Sequence, residues 1–376
     1  MNTNFKNKSI KDVENLFNIL LPPLHKERLC ENRTRNIQSE WKNTDEEITV
    51  FEYQQNTNSV NSVIPYFPCI PCALSLFSHN LKENGRGEEI RIISPSGFIQ
   101  PEYIDGAKNV LSDWGLNPTE GKYAREQYGR FAGTQEQRIH DLQEALDDPN
   151  VKAVLCSRGG YGLAQIIDKI DFSLFQKNPK WLIGFSDITV LHNAISALGI
   201  CSLHGIMAKH LTELPPDSQS VTQLKNILFG ELPAYTIPPH PLNKQGKAKG
   251  NLIGGNLSVL MGLRGTRFDL NYQNNILFIE DVGEKPYHID RMMQNLRLSG
   301  VLSQLSGLIV GQFSDLEEDP LMSATIYELI YNAVKEYDIP VCFDFPVGHV
   351  DENLPLIVNT DVCLDVLEEN VLLSWL

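Results

Sequence analysis

Ser186 lies in a segment, residues 184–188 (Gly-Phe-Ser-Asp-Ile), whose surroundings suit a nucleophile. The apolar run Trp181–Ile183 before it predicts a strand, and apolar residues at helical spacing after it predict a helix. A serine between a strand end and a helix start projects from a sharp turn, and the first free N–H groups of the helix face developing negative charge. The segment therefore predicts nucleophilic catalysis by Ser186, if the chain also supplies a base and an acid.

The base and the acid are expected at other strand ends. A serine nucleophile needs a base to accept its proton and an acceptor that orients the base. Glu280 ends the apolar run Ile276–Ile279, and His349 lies just past the predicted strand Val341–Phe343. Open α/β sheets place their sites at the carboxyl ends of strands. We therefore predict that His349 is the base for Ser186 and that Glu280 orients it.

Each of these two assignments has a structural alternative. Glu280 and Asp281 can simply begin the turn after their strand, and a lone histidine in a loop is more often solvated than catalytic. The chain has nine histidines, and several of the others fall in predicted helices: His140, His192 and His210. The catalytic interpretation is favoured because the serine, the acid and the histidine all follow the same strand-end rule.

A glycine turn at residues 157–162 (Ser-Arg-Gly-Gly-Tyr-Gly) is the other strong feature. It lacks the Gly-Lys-Ser/Thr ending of a P-loop and the spacing of a dinucleotide fingerprint. Three glycines after a strand let backbone N–H groups approach a ligand, which suits an oxyanion hole made by Gly160 or Tyr161 together with Asp187. We predict that Arg158 and Tyr161 contact the substrate, although Arg158 can equally form a structural ion pair.

Composition excludes several classes of function. The chain has 376 residues, 42% of them hydrophobic, and a formal net charge of −15, which argues against nucleic acid and anionic membranes as partners. No apolar run reaches the ~18 residues of a membrane span. No metal constellation is evident, so neither a metal nor a cofactor is expected. Cys69 and Cys72 have CxxC spacing, but no second pair accompanies them.

The order of predicted elements indicates an α/β fold. Strands alternate with helices, which predicts an N-terminal, doubly wound, mostly parallel sheet domain and a smaller C-terminal α/β domain that ends in β-strands. Residues 1–88 are predicted to be an extension with local helix or partial disorder, and residues 89–212 to be the domain with the serine. Residues 213–249, rich in proline, are predicted to connect it to the second domain, residues 250–376, which carries Glu280 and His349.

Five motifs occur together in one order, namely residues 158–162, 184–189, 254–257, 279–286 and 348–349. With them the chain resembles the L,D-carboxypeptidase family of bacterial serine peptidases, from about Ile90 to the C-terminus. The resemblance implies a Ser186–His349–Glu280 triad split between two domains, and an oxyanion hole from the glycine turn and Asp187. It also implies a cytoplasmic, metal-free and commonly homodimeric enzyme that removes the terminal D-alanine from murein tetrapeptides.

Two alternatives to this function remain open from the sequence. The related microcin-immunity peptidases share the triad and act on a peptide-nucleotide, but their glycine turn differs from the Arg-Gly-Gly-Tyr-Gly form found here. A non-catalytic protein that binds a small ligand at the rim of its sheet is an alternative of another class. Such a protein needs no serine–histidine–acid set, whereas this chain presents one.

Overall fold

The computed structural model describes residues 87–317, 319 and 321–376. All of these residues belong to one structural unit. Nearly all of the predicted N-terminal extension, together with Cys69 and Cys72, lies outside the described residues.

The described residues form thirteen strands, numbered here in chain order: β1 (Glu89–Ile93), β2 (Asn117–Glu120), β3 (Val151–Cys156), β4 (Trp181–Gly184), β5 (Ser202–His204), β6 (Ala234–Ile237), β7 (Gly246–Asn256), β8 (Ile276–Val282), β9 (Gly307–Ser314), β10 (Val341–Cys342), β11 (Leu356–Val358), β12 (Asp361–Val366) and β13 (Val371–Trp375). The same part of the chain forms nine α-helices: α1 (Pro101–Asp113), α2 (Gln135–Asp147), α3 (Ser173–Lys177), α4 (Thr189–Ser196), α5 (Ala208–Glu213), α6 (Gln219–Leu228), α7 (Leu257–Leu263), α8 (Pro286–Leu298) and α9 (Ile326–Val334).

The strands make two mixed sheets, which confirms the predicted α/β fold. The first sheet has the order β11-β5-β4-β3-β1-β2, with β1 to β5 parallel and β11 antiparallel at one edge. The second has the order β10-β9-β8-β7-β12-β13-β6, in which β7 to β10 are parallel and the other three strands run antiparallel to their neighbours. Parallel neighbours bring several strand carboxyl ends to a common edge of each sheet.

Helices cover the first sheet on both faces. Alternate side chains of β3 enter different clusters: Ala153 and Leu155 pack with α1, whereas Val154 and Cys156 pack with α2 and α4. Helix α2 begins at a capping box, because the Thr134 hydroxyl accepts from the Gln137 N–H and the Gln137 side chain accepts from the Thr134 N–H. Burial on both faces explains why these strands are almost wholly apolar.

The predicted connection, residues 213–249, contains regular structure. It holds helix α6 and strand β6, and strand β7 already begins at Gly246. Val221, Leu224 and Leu228 lie at helical spacing and are buried, so this face packs into the core although prolines flank it. The hydrophobic periodicity of this segment indicates helix α6, but its proline content led to the prediction of a connection.

Strand β11 belongs to a different sheet from the one that the predicted domain boundaries imply. Residues Leu356–Val358 were expected to be part of the C-terminal domain, but they pair antiparallel with β5 in the first sheet, Leu356 opposite His204. The chain therefore returns to the first sheet after it has built most of the second. Between the glycine turn and β4 the chain forms two 3-10 turns, Leu163–Gln165 and Ile167–Lys169.

None of the helices in the described part of the chain combines the length and the hydrophobicity that a membrane crossing requires.

Candidate active site

Ser186 follows strand β4 and starts a short 3-10 turn, Ser186–Ile188, that leads directly into helix α4. Its φ angle is +65°, which places a residue with a side chain in the left-handed region. Such a conformation costs roughly 1–3 kcal/mol and is found mainly at functional sites. The half-buried serine therefore has the strained turn expected of a nucleophile between a strand and a helix.

His349 and Glu280 are directly bonded. The Nδ1 atom of His349 lies 2.8 Å from Oε2 of Glu280, whose side chain is fully buried, while 21% of the His349 side chain is exposed. Because an ionised carboxylate only accepts hydrogen bonds, Nδ1 carries the proton in this pair. The second ring nitrogen, Nε2, is then free to accept a proton.

A local irregularity in the pairing of β8 with β9 lies at Glu280. The pairing of β8 with β9 shifts register between Ile279 and Asp281, so Glu280 stands at a bulge, while it still pairs with Asn256 on β7. Bulges re-aim side chains and occur often beside active sites. The strand continues to Val282, so Glu280 lies inside β8 and not at its end as predicted.

The loop with His349 approaches Glu280 through Gly348. This glycine has a φ of +133°, and a Cβ atom there would lie 3.1 Å from the Glu280 Cβ atom and 2.9 Å from the Gln312 carbonyl oxygen. The Gly348 N–H donates to Oδ1 of Asn353 at 3.0 Å, which fixes the turn. A residue without a side chain is therefore required for the histidine to reach its acid.

Phe185 brings the imidazole beside the serine turn. Its ring packs edge-on against the His349 ring, with 4.8 Å between the ring centroids. Phe185 immediately precedes Ser186, so the histidine–glutamate pair lies beside the turn that carries the serine. Sequence reasoning did not identify Phe185.

The glycine turn packs on the serine. A Cβ atom on Gly159 would lie 2.8 Å from the Ser186 Cβ atom and 3.0 Å from its Oγ atom. The Gly159 carbonyl accepts from the Gly97 N–H at 3.1 Å. Within the described residues, the N–H groups of Gly160 and Asp187 donate to no other group, which leaves them available to a ligand.

The side chain of Asp187 has a structural role in this turn. Its Oδ2 atom accepts from the Ser96 hydroxyl at 2.5 Å and from the Leu163 N–H at 3.0 Å. Burial raises the pKa of Asp187, and these hydrogen bonds oppose that rise. Arg138, also buried, donates to the carbonyl oxygens of Pro95 and Gly162. The carboxylate of Asp187 therefore holds the turn together.

Asp281 anchors the second sheet to the serine helix. Its carboxylate accepts from the Asn256 side chain at 2.9 Å and from the Ser258 N–H at 2.8 Å, and the Asn256 N–H donates to the Thr189 hydroxyl at 3.1 Å. Burial, together with the charge of Glu280, raises the pKa of Asp281 to about 6. The two adjacent acids therefore have different roles, since Glu280 holds the histidine and Asp281 holds the start of α7.

Arg158 and Tyr161, the predicted substrate contacts, line an open cleft next to the glycine turn. Arg158 is exposed and donates to the Phe98 carbonyl oxygen at 3.3 Å, and Tyr161 is half exposed. Arg130, which sequence reasoning missed, lines the same cleft. Arg130 lies in a turn that packs beside Gly97. Its carbonyl oxygen accepts a hydrogen bond from the Phe98 N–H.

One group of residues in the described part of the chain has metal-ligand spacing. His140, Asp141 and Glu144 offer ligand atoms within 4.8 Å of one another on helix α2. Asp141 already accepts from the Tyr123 N–H at 2.7 Å, and exposed acidic groups of this kind are common without an ion. The cluster lies on a helix of the first sheet and includes none of the residues that surround Ser186.

Comparisons with known proteins identify the family. The model of the LD-carboxypeptidase N-terminal domain matches residues 90–205, and the model of the LD-carboxypeptidase C-terminal domain matches residues 249–364. This chain belongs to the LD-carboxypeptidase family. The predicted resemblance is confirmed at this level, and the two matched regions contain the serine segment and the histidine–glutamate pair respectively.

Curated relatives cover most of the chain. The "Probable murein peptide carboxypeptidase" of Bacillus subtilis is 33% identical over 306 residues, 80% of this chain and 96% of that protein. The murein tetrapeptide carboxypeptidase of Pseudomonas aeruginosa is 32% identical over 70% of this chain and 89% of its own length. Both relatives are named as carboxypeptidases, which agrees with the hydrolase class of the family.

Solved structures share the fold. The muramoyltetrapeptide carboxypeptidase of Oxalobacter formigenes has a TM-score of 0.71 and 27% identity, covering 76% of this chain and 98% of its own. The microcin C7 self immunity protein MccF has a TM-score of 0.70 at 22% identity, covering 79% of this chain and 98% of its own. The likeness to MccF extends to the fold alone.

Gly159 offers a direct test of the packing in this LD-carboxypeptidase family member. We expect Gly159→Ala to lower kcat by about 100-fold, because the added methyl displaces Ser186 and small misplacements at a reacting centre have effects of that size. The comparison is Gly262→Ala, where a Cβ atom meets nothing within 4 Å. Steady-state kinetics of both variants check the expectation, and equal activity of the two would contradict it.

Three histidines that contact Gly184 or Phe185 give a pH prediction. Burial lowers the pKa of His192 and of His210 to about 4, and it lowers the pKa of His204 well below its ordinary value. Each is neutral when folded and gains a proton in the unfolded chain below its ordinary pKa of about 6.5. The free energy of unfolding therefore falls as the pH drops from about 6.5 towards 4, by about 1.4 kcal/mol per pH unit for each histidine.

Asp281 opposes this trend between pH 3.8, the ordinary pKa of its carboxyl group, and about pH 6, its pKa in the folded protein. In that range the folded protein binds a proton at Asp281 that the unfolded chain does not bind. Urea unfolding at several pH values measures the sum. In His192→Asn, the slope of the unfolding free energy against pH should decrease by about 1.4 kcal/mol per pH unit, which is the contribution of one proton. An unchanged slope in that variant would show that His192 does not titrate as the structure predicts.

Proposed function

We propose that this member of the LD-carboxypeptidase family is a serine carboxypeptidase that releases the terminal D-alanine of murein tetrapeptides by cutting an L,D peptide bond. The observation that carries the proposal is the bonded His349–Glu280 pair packed against the left-handed turn of Ser186. The substrate class rests on the names of the relatives, which describe murein peptide and murein tetrapeptide carboxypeptidases.

In the proposed first step His349 Nε2 takes the Ser186 hydroxyl proton, and the serine oxygen attacks the carbonyl carbon that precedes D-alanine. Glu280 keeps the proton on Nδ1 and stabilises the imidazolium that forms. The N–H groups of Gly160 and Asp187 are the donors for the oxyanion. Removing one such donor costs roughly 2.7–4 kcal/mol in a known serine protease.

In the second step His349 returns the proton to the amine of D-alanine, which leaves as the C–N bond breaks. The acyl group then remains on Ser186 as an ester. Water attacks this ester after giving a proton to His349, and the shortened peptide leaves while Ser186 regains its hydrogen. The cycle balances with one water consumed for each D-alanine released.

Mass spectrometry of a murein tetrapeptide incubated with the protein tests the proposal. We expect a product lighter by one alanine residue, and no such loss from the diastereomer that ends in L-alanine. The rival substrate is an aminoacyl-nucleotide of the kind that microcin-immunity peptidases cleave. Hydrolysis of that compound, with the tetrapeptide left intact, would overturn the assigned substrate but keep the serine chemistry.

A cytoplasmic location and a homodimer are part of the same proposal. Both stay predictions from the family resemblance. Light scattering coupled to size-exclusion chromatography measures the mass of the particle, and a value of 42.4 kDa for the single chain would contradict the dimer.

A further inference from the structure

Arg138 is a charged residue in the interior of the protein, near the start of helix α2, with only 2% of its surface exposed. Its Nη1 atom donates to the carbonyl oxygen of Gly162 at 2.9 Å and to that of Pro95 at 3.2 Å. Its Nη2 atom donates to Oε1 of Gln165 at 3.1 Å. These acceptors are neutral, and their bonds replace those that the guanidinium group loses with water when it is buried.

The two carbonyl oxygens belong to turns that are joined to each other. Pro95 lies in the turn after β1, and Gly162 ends the glycine turn after β3. The Gly97 N–H of the first turn donates to the Gly159 carbonyl oxygen of the second at 3.1 Å, and Gly159 is the residue that packs on the serine. Arg138 therefore bonds both to the glycine turn and to the turn that supports it.

The contact with Arg138 explains why the third glycine of the glycine turn is needed. Gly162 has a φ of +139°, and a Cβ atom there would lie 2.5 Å from Nη1 of Arg138 and 3.0 Å from the ring of Phe131. The guanidinium group itself lies over that ring, 4.9 Å from its centroid, in a cation–π contact. The space beside Gly162 is therefore filled by Arg138 stacked on Phe131.

We infer that Arg138 positions the Gly160 N–H as an oxyanion donor, a role that rests on the proposed serine chemistry. On one side of Gly160 the Gly159 carbonyl is held by the Gly97 N–H, and on the other side the Gly162 carbonyl is held by Arg138. Within the described residues the Gly160 N–H has no acceptor of its own. A glycine has no side chain to restrict its φ, so the direction of this N–H depends on the two fixed points around it.

Asp187 extends the same network to the second proposed donor. Its carboxylate accepts from the Leu163 N–H, just past the glycine turn, and from the Ser96 hydroxyl in the turn after β1. The carboxylate thus joins the same two turns as the guanidinium group, with the opposite charge. Burial lowers the pKa of Arg138 and the charge of Asp187 opposes this fall, so the two groups stabilise each other. A change at Arg138 is therefore expected to displace both oxyanion donors.

Substitution of Arg138 tests the inference through the split between kcat and KM. An oxyanion donor stabilises the transition state more than the bound substrate, so its displacement lowers kcat and leaves KM nearly unchanged. Arg138→Met keeps a long apolar side chain and removes every donor, and we expect kcat for a murein tetrapeptide to fall by about 100-fold. Arg138→Lys keeps the charge but has its donors on one nitrogen, which cannot span the three acceptors, so we expect a loss of about 10-fold. Wild-type kcat in both variants would overturn the inference.

Lys180→Met is the matched control, since it replaces another buried cation by the same residue. Lys180 is 1% exposed and donates to the carbonyl oxygens of Ala145 and Asp148, at the opposite end of helix α2. We expect it to lower the free energy of unfolding, as Arg138→Met does, but to keep the wild-type kcat. Urea unfolding compares the stabilities. A loss of kcat in Lys180→Met as large as that in Arg138→Met would assign the effect to general destabilisation and contradict the positioning role.

Hydrogen exchange measured by mass spectrometry reports the turn without any substrate. The segment 157–166 contains the Leu163 and Gln165 N–H groups, which donate to Asp187 and to the Gly162 carbonyl oxygen. We expect this segment to exchange about 10-fold faster in Arg138→Met than in the wild-type protein, and at the wild-type rate in Lys180→Met. Unchanged exchange in Arg138→Met would show that Arg138 does not hold the turn.

The two proposals fail separately in this design. If the wild-type protein releases D-alanine and the Arg138 variants keep its kcat and its exchange rate, the positioning role is wrong and the proposed function stands. If exchange in the segment 157–166 rises only in the Arg138 variants but the wild-type protein cleaves no tetrapeptide, Arg138 holds the turn and the proposed function is wrong.

Discussion

Ser186→Ala should abolish release of D-alanine, with kcat lowered by about 10⁶-fold, the loss seen when a serine protease is deprived of its nucleophile. The reason is that no other hydroxyl is held at the strained turn between β4 and α4. Alanine accepts the same backbone strain as serine, so the fold should persist. A stopped assay with mass detection over hours measures the remaining rate.

Two further substitutions make this result specific. Ser303→Ala removes an exposed hydroxyl that bonds only to the Gly300 carbonyl in the described structure, and it should keep full activity. Ser186→Gly should be as inactive as the alanine variant but more stable by roughly 1 kcal/mol, because glycine adopts a φ of +65° without steric cost. Activity retained in both variants at position 186 would remove the serine from the mechanism.

Glu280→Gln should lower kcat by about 10⁴-fold and leave KM nearly unchanged. In a serine protease with the corresponding acid replaced by its amide, a loss of this size follows from the wrong tautomer of the histidine. Here the fully buried Glu280 carboxylate accepts from Nδ1 of His349 at 2.8 Å. An amide can donate to that nitrogen and place the ring proton on Nε2, where it blocks the acceptance of the serine proton.

Asp281→Asn is the matched control, since it makes the same chemical change one residue away in the same strand. Asp281 accepts N–H groups of Asn256, Ser258 and Val282, so the amide should destabilise the fold by about 1–3 kcal/mol. We expect its kcat to fall far less than that of Glu280→Gln. Kinetics and urea unfolding of both variants give the comparison, and an equal loss of kcat would assign the effect to folding.

The sequence predicted much of this site because the relevant signals are local. An apolar run followed by polar residues marks a strand end, and the carboxyl ends of parallel strands meet at one edge. That rule alone brought Ser186, Glu280 and His349 into one hypothesis. Helix α9, Ile326–Val334, has local signals of the same kind, because its apolar period is regular and Thr325 caps it.

Other features had no local signal. The contact of Phe185 with His349, the return of β11 to the first sheet and the cleft lined by both Arg130 and Arg158 each join residues far apart in sequence. The chain pattern shows which residues are apolar or charged, but it does not show which distant partner each one meets. Helix α6 was missed for a different reason, since the prolines around it outweighed its apolar period in the prediction.

By itself the sequence determined the α/β class and the residue types that serine chemistry needs, because hydrophobic period and turn chemistry act over a few neighbouring residues. Only the tertiary structure decided the bulge in β9 opposite Glu280, the contact that brings His349 to the serine turn and the second arginine of the cleft. These depend on strand register and on packing between segments more than 20 residues apart, which are fixed when the whole core forms.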